Sequence, residues 1–196
     1  MLIGVSLGPG DPELLTLKAI RVIKEADEVI VPGENAEKLV RLYREPKVVE
    51  FPMGRGNEVA RRLADEIAER CREENIAFCC LGDAVLYSTF SLLVEEVLKI
   101  TPDVEIEIVP GVSVVFSALA ITKTFVRKSL LITVDFEPEV VAVLKAKRSG
   151  EIAERLMSMG FRDIKFIERL HMEGQRISDH VPKEADYFSL ILGVRR

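Results

Sequence analysis

The chain has 196 residues, of which 48% are hydrophobic and 30% are charged, and this predicts one large or two small domains with a sizeable buried core. Its formal net charge of −5 argues against a general nucleic-acid binder, because such a protein needs a surplus of Lys and Arg on one face. No apolar run reaches the about 18 residues that span a bilayer, and no signal-peptide pattern opens the sequence, so we expect a soluble, cytoplasmic protein without a membrane partner.

The first predicted element is an apolar strand at residues 2–7, which leads directly into the turn Gly-Pro-Gly-Asp at residues 8–11 and a helix start. The two glycines permit backbone angles closed to other residues, Pro9 stiffens the turn, and Asp11 can cap the helix. The spacing is neither the dinucleotide-binding GxGxxG nor the phosphate loop GxxxxGK[ST]. The pattern alone is therefore also compatible with an ordinary turn between a strand and a helix.

The rest of the first half alternates between apolar runs of strand length and helical patterns. The runs lie near residues 28–32, 47–51, 76–81 and 104–109, and the helical patterns near 12–25, 35–44, 57–74 and 88–100. This alternation predicts a parallel α/β sheet. Ligands of such sheets bind beyond the carboxyl ends of the strands, where the turn at 8–11 and the segment at 82–87 both fall.

The regular alternation of strand and helix patterns ends after Pro110-Gly111. The second half shows a short apolar helix near 112–121, apolar runs at 129–134 and 140–146, a helix near 150–159, and strands near 163–168 and 186–194. We predict two α/β domains, residues 1–110 and a smaller one at 111–196. The Pro-Gly pair is the predicted hinge between them, because it ends a strand and turns the chain.

The cysteines and histidines favour no metal or redox site. Cys71, Cys79 and Cys80 form neither a zinc spacing nor an even disulfide set, and we interpret them as small core residues. His171 and His180 are the two histidines of the chain, and no Gly-x-Ser-x-Gly elbow accompanies them. We therefore predict no metal site.

A resemblance is more specific than these patterns. The run GPGDPELLTLKA at residues 8–19, followed by an Ala-Asp pair at 26–27, resembles the opening of the tetrapyrrole methylase family, whose members use S-adenosylmethionine. Within it, the chain is most similar to the enzymes that methylate C20 of precorrin-2 or cobalt-factor II in cobalamin biosynthesis. Three stretches carry this finer match: GDAVLYSTF at 82–90, VPGVS at 109–113 and YFSL at 187–190.

The resemblance implies two α/β domains with a cofactor cleft between them, a homodimer, and S-adenosylhomocysteine as a product. It also implies cofactor contacts, most of them through backbone groups. These would come from Pro9, Leu81, Gly82, Asp83, Leu86, Ser113 and Val114, and in the second half from Leu144, Leu170 and His171.

Methyl transfer from a sulfonium is an in-line displacement that needs alignment and exclusion of water rather than a nucleophilic side chain. Tyr87 is the first catalytic candidate, since its hydroxyl could orient the substrate or assist proton removal at the methylated carbon. Asp11 is the second, through a substrate contact, with helix capping as the alternative. Asp83 has the same alternative of a turn or cap residue, while Ser88 and Thr89 are interpreted as helix caps.

An anionic tetrapyrrole with acetate and propionate arms needs local cations. We select Arg55, Arg127 and Lys128, because turn positions can project these side chains into a site, although each could instead be a surface charge. Ser6 stands where relatives usually have glycine, so its side chain could narrow the substrate pocket.

Other readings stay open. Ala84 replaces the proline usual in the wider family, and only residues 135–139 separate two apolar runs where an additional helix is expected. One alternative is a methylase of the same family with another acceptor: uroporphyrinogen-III, another corrin intermediate, or a protein or RNA as in diphthine synthase or the ribosomal RNA methylase branch. The second alternative is a non-catalytic methylase fold that serves as a binding module.

Overall fold

The computed structural model describes residues 1–133 and 136–195. The chain forms two compact units, Met1–Phe125 and Val126–Arg196. The division predicted at residue 110 falls one helix earlier along the chain, because the helix Val114–Ile121 belongs to the first unit.

The first unit alternates strands and helices, as the hydrophobic pattern predicts. Its strands are β1 (Leu2–Ser6), β2 (Glu28–Val31), β3 (Lys47–Val48), β4 (Ile76–Cys80) and β5 (Ile106–Val109). Its α-helices are α1 (Leu17–Glu25), α2 (Glu34–Val40), α3 (Gly56–Ile67), α4 (Thr89–Ile100) and α5 (Val114–Ile121), with short 3₁₀ helices at Pro12–Leu14 and Arg70–Arg72. The helix predicted over 12–25 is broken because Thr16 takes an extended conformation and caps α1, accepting a hydrogen bond from Ala19 N at 3.1 Å.

The five strands of the first unit form a parallel sheet in the order β3-β2-β4-β1-β5, which confirms the predicted α/β class. Every residue of β1 and of β4 is buried. One apolar cluster, with Phe78 and Phe90, lies on the face covered by α3 and α4, and a second, with Ile23 and Leu39, lies on the face of α1 and α2. Helices on both faces explain why the central strands are continuous apolar runs.

The second unit is smaller and its sheet is antiparallel. It contains β6 (Val140–Leu144), α6 (Ser149–Ser158), β7 (Asp163–Glu168), β8 (Arg176–Ser178) and β9 (Ser189–Val194), with the strand order β6-β9-β7-β8. Its core consists of Ala146, Leu156, Phe161, Phe166 and Ile191.

The apolar run at 129–134 forms no strand in its described part, since residues 129–133 have no regular secondary structure, while Val134 and Asp135 lie outside the described residues. The side chains of residues 129–132 are exposed, and the run pairs with no strand among the described residues.

The three cysteines are free and buried in the first unit, which confirms their interpretation as core residues. Burial raises the pKa of the Cys80 thiol to about 11, and burial also raises the pKa values of Cys71 and Cys79. A thiol with a raised pKa is a poor nucleophile and a poor metal ligand near neutral pH.

Candidate functional site

Three loops meet at the carboxyl edge of the parallel sheet. Beyond β1 and β4, Gly8 and Gly82 exchange two backbone hydrogen bonds, with N···O distances of 3.0 and 2.8 Å. Both glycines have positive φ, 72° and 84°, which favours the absence of a side chain. The loop after β5 joins them, because Val112 O lies 3.3 Å from where a Cβ on Gly8 would stand. The sequence therefore brings its two predicted loops side by side.

Ser6 lies beneath these loops rather than on their surface. Its side chain is fully buried, and its Oγ accepts a hydrogen bond from Ala84 N at 2.9 Å. A Cβ on Gly111 would stand 2.8 Å from Ser6 Cβ, so the loop after β5 packs directly on this residue. A fully buried side chain cannot touch a ligand, so the predicted pocket-narrowing contact of Ser6 is replaced by a role in holding the loop at residue 84.

Asp83 and Asp11 both make the local contacts of turn or cap residues. Asp83 Oδ1 accepts from Val85 N, and Asp11 Oδ1 accepts from Glu13 N, each at 2.9 Å. Within residues 1–133 and 136–195, the Oδ2 atom of each carboxylate has no protein hydrogen-bond partner. Each side chain can therefore order its own loop and still offer one oxygen to a ligand.

Apolar side chains around these loops are exposed. Leu81 is 44%, Leu86 is 40% and Tyr87 is 68% exposed. Val114, just after the cap residue Ser113, is also exposed, and Ser113 Oγ accepts from Val115 N at 3.3 Å. Exposed apolar groups beside free polar atoms are typical of a surface that binds a flat, mostly apolar ligand.

In the second unit, the predicted cofactor residues gather at one sheet edge. Strands β6 and β7 run in the same direction, since both pair antiparallel with β9, and Leu144 and Ile167 both lie opposite Leu190. Leu144, at the end of β6, and Leu170, just beyond β7, are both exposed. His171 N donates to Gln175 Oε1 at 2.6 Å, so this loop is held by its own side chain.

Backbone strain also concentrates at these two edges. Of six described non-glycine residues with φ between 51° and 65°, four lie here: Tyr87, Lys145, Arg169 and His171. A left-handed conformation costs such a residue about 1–2 kcal/mol. Strain of this kind is found preferentially at ligand-binding loops, so these outliers favour a ligand-binding role for the loops that carry them.

The predicted substrate cations lie in different surroundings. Arg55 forms a forked ion pair with Glu58, with Nη2–Oε1 at 2.7 Å and Nε–Oε2 at 3.0 Å. This hydrogen-bonded pair raises the pKa of Arg55 and lowers the pKa of Glu58, and both side chains are exposed. Arg127 and Lys128 lie exposed in an irregular stretch of the second unit.

The sequence reasoning missed a group of cations beside Leu144. Lys145, Lys147 and Arg148 follow β6 directly, and Arg155 lies on α6. The signal was present as the run Lys-Ala-Lys-Arg immediately after a strand. No group of three or more His, Cys, Asp or Glu side chains placed to hold a metal occurs in the described part of the chain, and none of its helices has the length and apolar character needed to cross a membrane.

Comparisons with known proteins show what the chain is similar to. Residues 1–181 match the family model described as Tetrapyrrole (Corrin/Porphyrin) Methylases. The chain is similar to the probable cobalt-precorrin-2 C(20)-methyltransferase of Methanocaldococcus jannaschii, with 37% identity over 128 residues that cover 60% of this chain and 55% of that protein. It is also similar to the uroporphyrinogen-III C-methyltransferase of Cyanidium caldarium, with 36% identity over 121 residues that cover 59% of this chain and 47% of that protein.

Among solved structures, the native form of uroporphyrin III C-methyl transferase from Thermus thermophilus has the same fold. It aligns over 98% of this chain and 96% of that chain, with a TM-score of 0.52 and 24% identity. The chain spans about half the length of the two curated relatives it matches.

Proposed function

Because the chain belongs to the tetrapyrrole (corrin/porphyrin) methylase family, we propose that it transfers a methyl group from S-adenosylmethionine to a tetrapyrrole in cobalamin biosynthesis. The acceptor position is C20 of cobalt-factor II or precorrin-2. The family match over residues 1–181 carries the reaction type. The similarity to the Methanocaldococcus C(20)-methyltransferase, together with the strings YSTF at 87–90 and YFSL at 187–190, supports the acceptor.

When bound, S-adenosylmethionine supplies a methyl group on a sulfonium, an activated leaving group. The protein's tasks are to position that methyl in line with the acceptor carbon and to keep water away. The carbonyl of Pro9 and the backbone of Ser113 offer hydrogen bonds at the meeting point of the three loops. Gly82 already donates its N–H to Gly8 O, so it offers the second lone pair of its carbonyl. Leu81 and Leu86 offer apolar surface beside them.

The remaining contacts complete the proposed donor set. Asp83 Oδ2 accepts a hydrogen bond from a hydroxyl or amino group of S-adenosylmethionine, and Val114 adds apolar surface. In the second unit, Leu144, Leu170 and His171 contribute contacts from their shared edge.

Tyr87 and Asp11 are the proposed residues on the acceptor side. Tyr87 is held in a left-handed conformation with its ring exposed, so its hydroxyl is available to orient the macrocycle or to take part in removing the proton from the methylated carbon. Asp11 offers its Oδ2 oxygen from the turn after β1. Neither residue needs to form a covalent bond with the substrate.

Binding and acceptor choice can be tested in one series. Calorimetry with S-adenosylmethionine and S-adenosylhomocysteine should show that both bind. If neither compound binds, the non-catalytic module is favoured. Parallel anaerobic incubations of S-adenosylmethionine with cobalt-factor II, precorrin-2 and uroporphyrinogen-III, followed by mass spectrometry, should add one methyl group to one of the first two.

The second candidate is methylation of uroporphyrinogen-III. The observation that favours it is the similarity to the Cyanidium enzyme, whose 36% identity nearly equals the 37% of the Methanocaldococcus relative. A methylated uroporphyrinogen-III product with unmodified cobalt-factor II and precorrin-2 would establish this candidate in place of the first.

A further inference from the structure

A cleft in the second unit is lined mainly by cations. Lys145, Lys147, Arg148 and Arg155 surround a cavity of about 280 Å³, together with Glu151 and Ile152. Glu151 is the one acidic residue of this lining, and it pairs with Arg148 through Nη1–Oε2 at 3.2 Å. Four cations and one carboxylate leave three uncompensated positive charges, in a chain whose formal net charge is −5.

The two lysines are held by one aromatic ring. Lys145 Nζ lies 5.1 Å and Lys147 Nζ lies 5.6 Å from the centroid of Tyr187, both within the range of a cation–π contact. Among the described residues, neither ammonium group has a carboxylate within ion-pair distance. Two like charges near one ring repel each other, and an anion between them would remove that repulsion.

The backbone fixes this arrangement as well. Lys145 has φ of 56°, and Lys147 N donates to Lys145 O at 2.8 Å, so the chain makes a tight turn directly after β6. Ala185 N donates to Lys147 O at 2.8 Å, which ties the turn to the segment that carries Tyr187. Strained backbone and two anchored lysines indicate a preorganised site rather than a solvated run of surface charges.

We propose that this cleft binds carboxylate arms of the tetrapyrrole substrate. The proposal rests on the function proposed above, which supplies a ligand with several acetate and propionate groups. Guanidinium and ammonium groups both pair strongly with carboxylates, and Arg155 and the two lysines have no carboxylate within ion-pair distance among the described residues. Because Lys145 follows Leu144 directly, the cleft adjoins the edge assigned to the cofactor.

The test measures binding of uroporphyrin III, a stable tetrapyrrole with acetate and propionate arms, by fluorescence at constant salt. The double variant Lys145→Gln/Lys147→Gln should weaken binding about tenfold or more, since two charge-assisted contacts are lost. Glu151→Gln should tighten binding, because it frees Arg148 from its partner. The affinity for S-adenosylhomocysteine should stay unchanged in both.

Matched controls separate the cleft from general charge and from folding. Lys183→Gln removes an exposed lysine of the same unit outside the cleft and should bind as the wild type does. Tyr187→Phe keeps the ring and should retain binding, whereas Tyr187→Leu should lose part of it. Thermal melts should show all variants folded, because the changed side chains are exposed.

Several outcomes would overturn the proposal. These are no uroporphyrin binding by the wild type, equal losses in the double lysine variant and in Lys183→Gln, or displacement of the porphyrin by inorganic phosphate but not by citrate. If the wild type methylates a tetrapyrrole but the lysine changes leave porphyrin binding intact, this inference fails alone. If porphyrin binding depends on the lysines but no methyl is transferred, the proposed function fails alone.

Discussion

Ser6 is a buried hydroxyl with one partner, the backbone N–H of Ala84. Ser6→Ala would leave that buried donor unpaired, which costs about 1–3 kcal/mol. We expect a lower free energy of unfolding in urea and weaker binding of S-adenosylhomocysteine, because the loop at 82–87 loses its anchor. Ser91→Ala, at an exposed position of α4, is the matched control and should stay close to the wild type. Equal stability of the two variants would remove this role of Ser6.

Asp83 combines a capping oxygen with a free one, and two substitutions separate these roles. Asp83→Ala removes both and should weaken S-adenosylhomocysteine binding about tenfold or more by calorimetry. Asp83→Asn can still accept from Val85 N, so a loss of similar size there would assign the effect to the carboxylate charge. Asp65→Ala, at an exposed position of α3, should leave the affinity unchanged. An unaltered dissociation constant for Asp83→Ala would remove Asp83 from the donor set.

Tyr87 is proposed to act on the acceptor, so its hydroxyl should matter for turnover and not for donor affinity. Tyr87→Phe keeps the ring and its exposed position. We expect a slower methyl-transfer rate in a single-turnover experiment, with the dissociation constant for S-adenosylhomocysteine unchanged. Tyr43→Phe serves as the control, because Tyr43 is partly buried and packs against the core cluster that contains Ile23 and Leu39. A single-turnover rate equal to that of the wild type would contradict the assignment.

At the scale of elements, α4 approaches β1 closely enough that one position must be glycine. A Cβ on Gly4 would stand 2.3 Å from a ring carbon of Phe90, in the first turn of α4. Gly4→Ala should therefore destabilise the protein by about 1–3 kcal/mol, which a urea titration would measure. The double variant Gly4→Ala/Phe90→Leu should show a favourable coupling energy, because the smaller side chain makes room. Purely additive effects would contradict this packing.

The elements of the first unit could be predicted because parallel strands covered on both faces are continuous apolar runs. The short strand Arg176–Ser178 was missed, since two of its three residues are exposed and it pairs only with β7 among the described strands. The run at 129–133 has the composition of a strand but lacks a strand partner among the described residues. The hydrophobic pattern of a segment predicts whether it is buried. It does not predict whether the segment forms a strand when that depends on pairing with a segment distant in sequence.

Contacts between distant segments also limit how far the site residues can be predicted from the sequence. The turn at 8–11 and the segment at 82–87 could be paired from the rule for parallel sheets. The cleft at Lys145 could not, because it depends on Tyr187, which is distant in sequence and reaches the lysines only through the pairing of β6 with β9. The local pairing of Arg55 with Glu58 likewise depends on rotamers that the sequence leaves open.

At the scale of the whole molecule, we propose a part of the function for each unit. The first unit has loops with backbone polar groups and exposed apolar side chains, and the second has a positively charged cleft beside Leu144. The homodimer stays a prediction. Helix α5 consists mainly of apolar residues, and none of them is buried among the described residues.

Transfer of a labelled methyl group would show directly whether this chain methylates a tetrapyrrole. The protein would be incubated without oxygen with cobalt-factor II or precorrin-2 and S-adenosylmethionine carrying a ¹³C-labelled methyl, and the product examined by NMR. We expect one labelled methyl, attached at C20, and an equal amount of S-adenosylhomocysteine. A label at another carbon would contradict the proposed acceptor position, and the absence of label from every tetrapyrrole supplied, uroporphyrinogen-III included, would contradict the methyltransferase function itself.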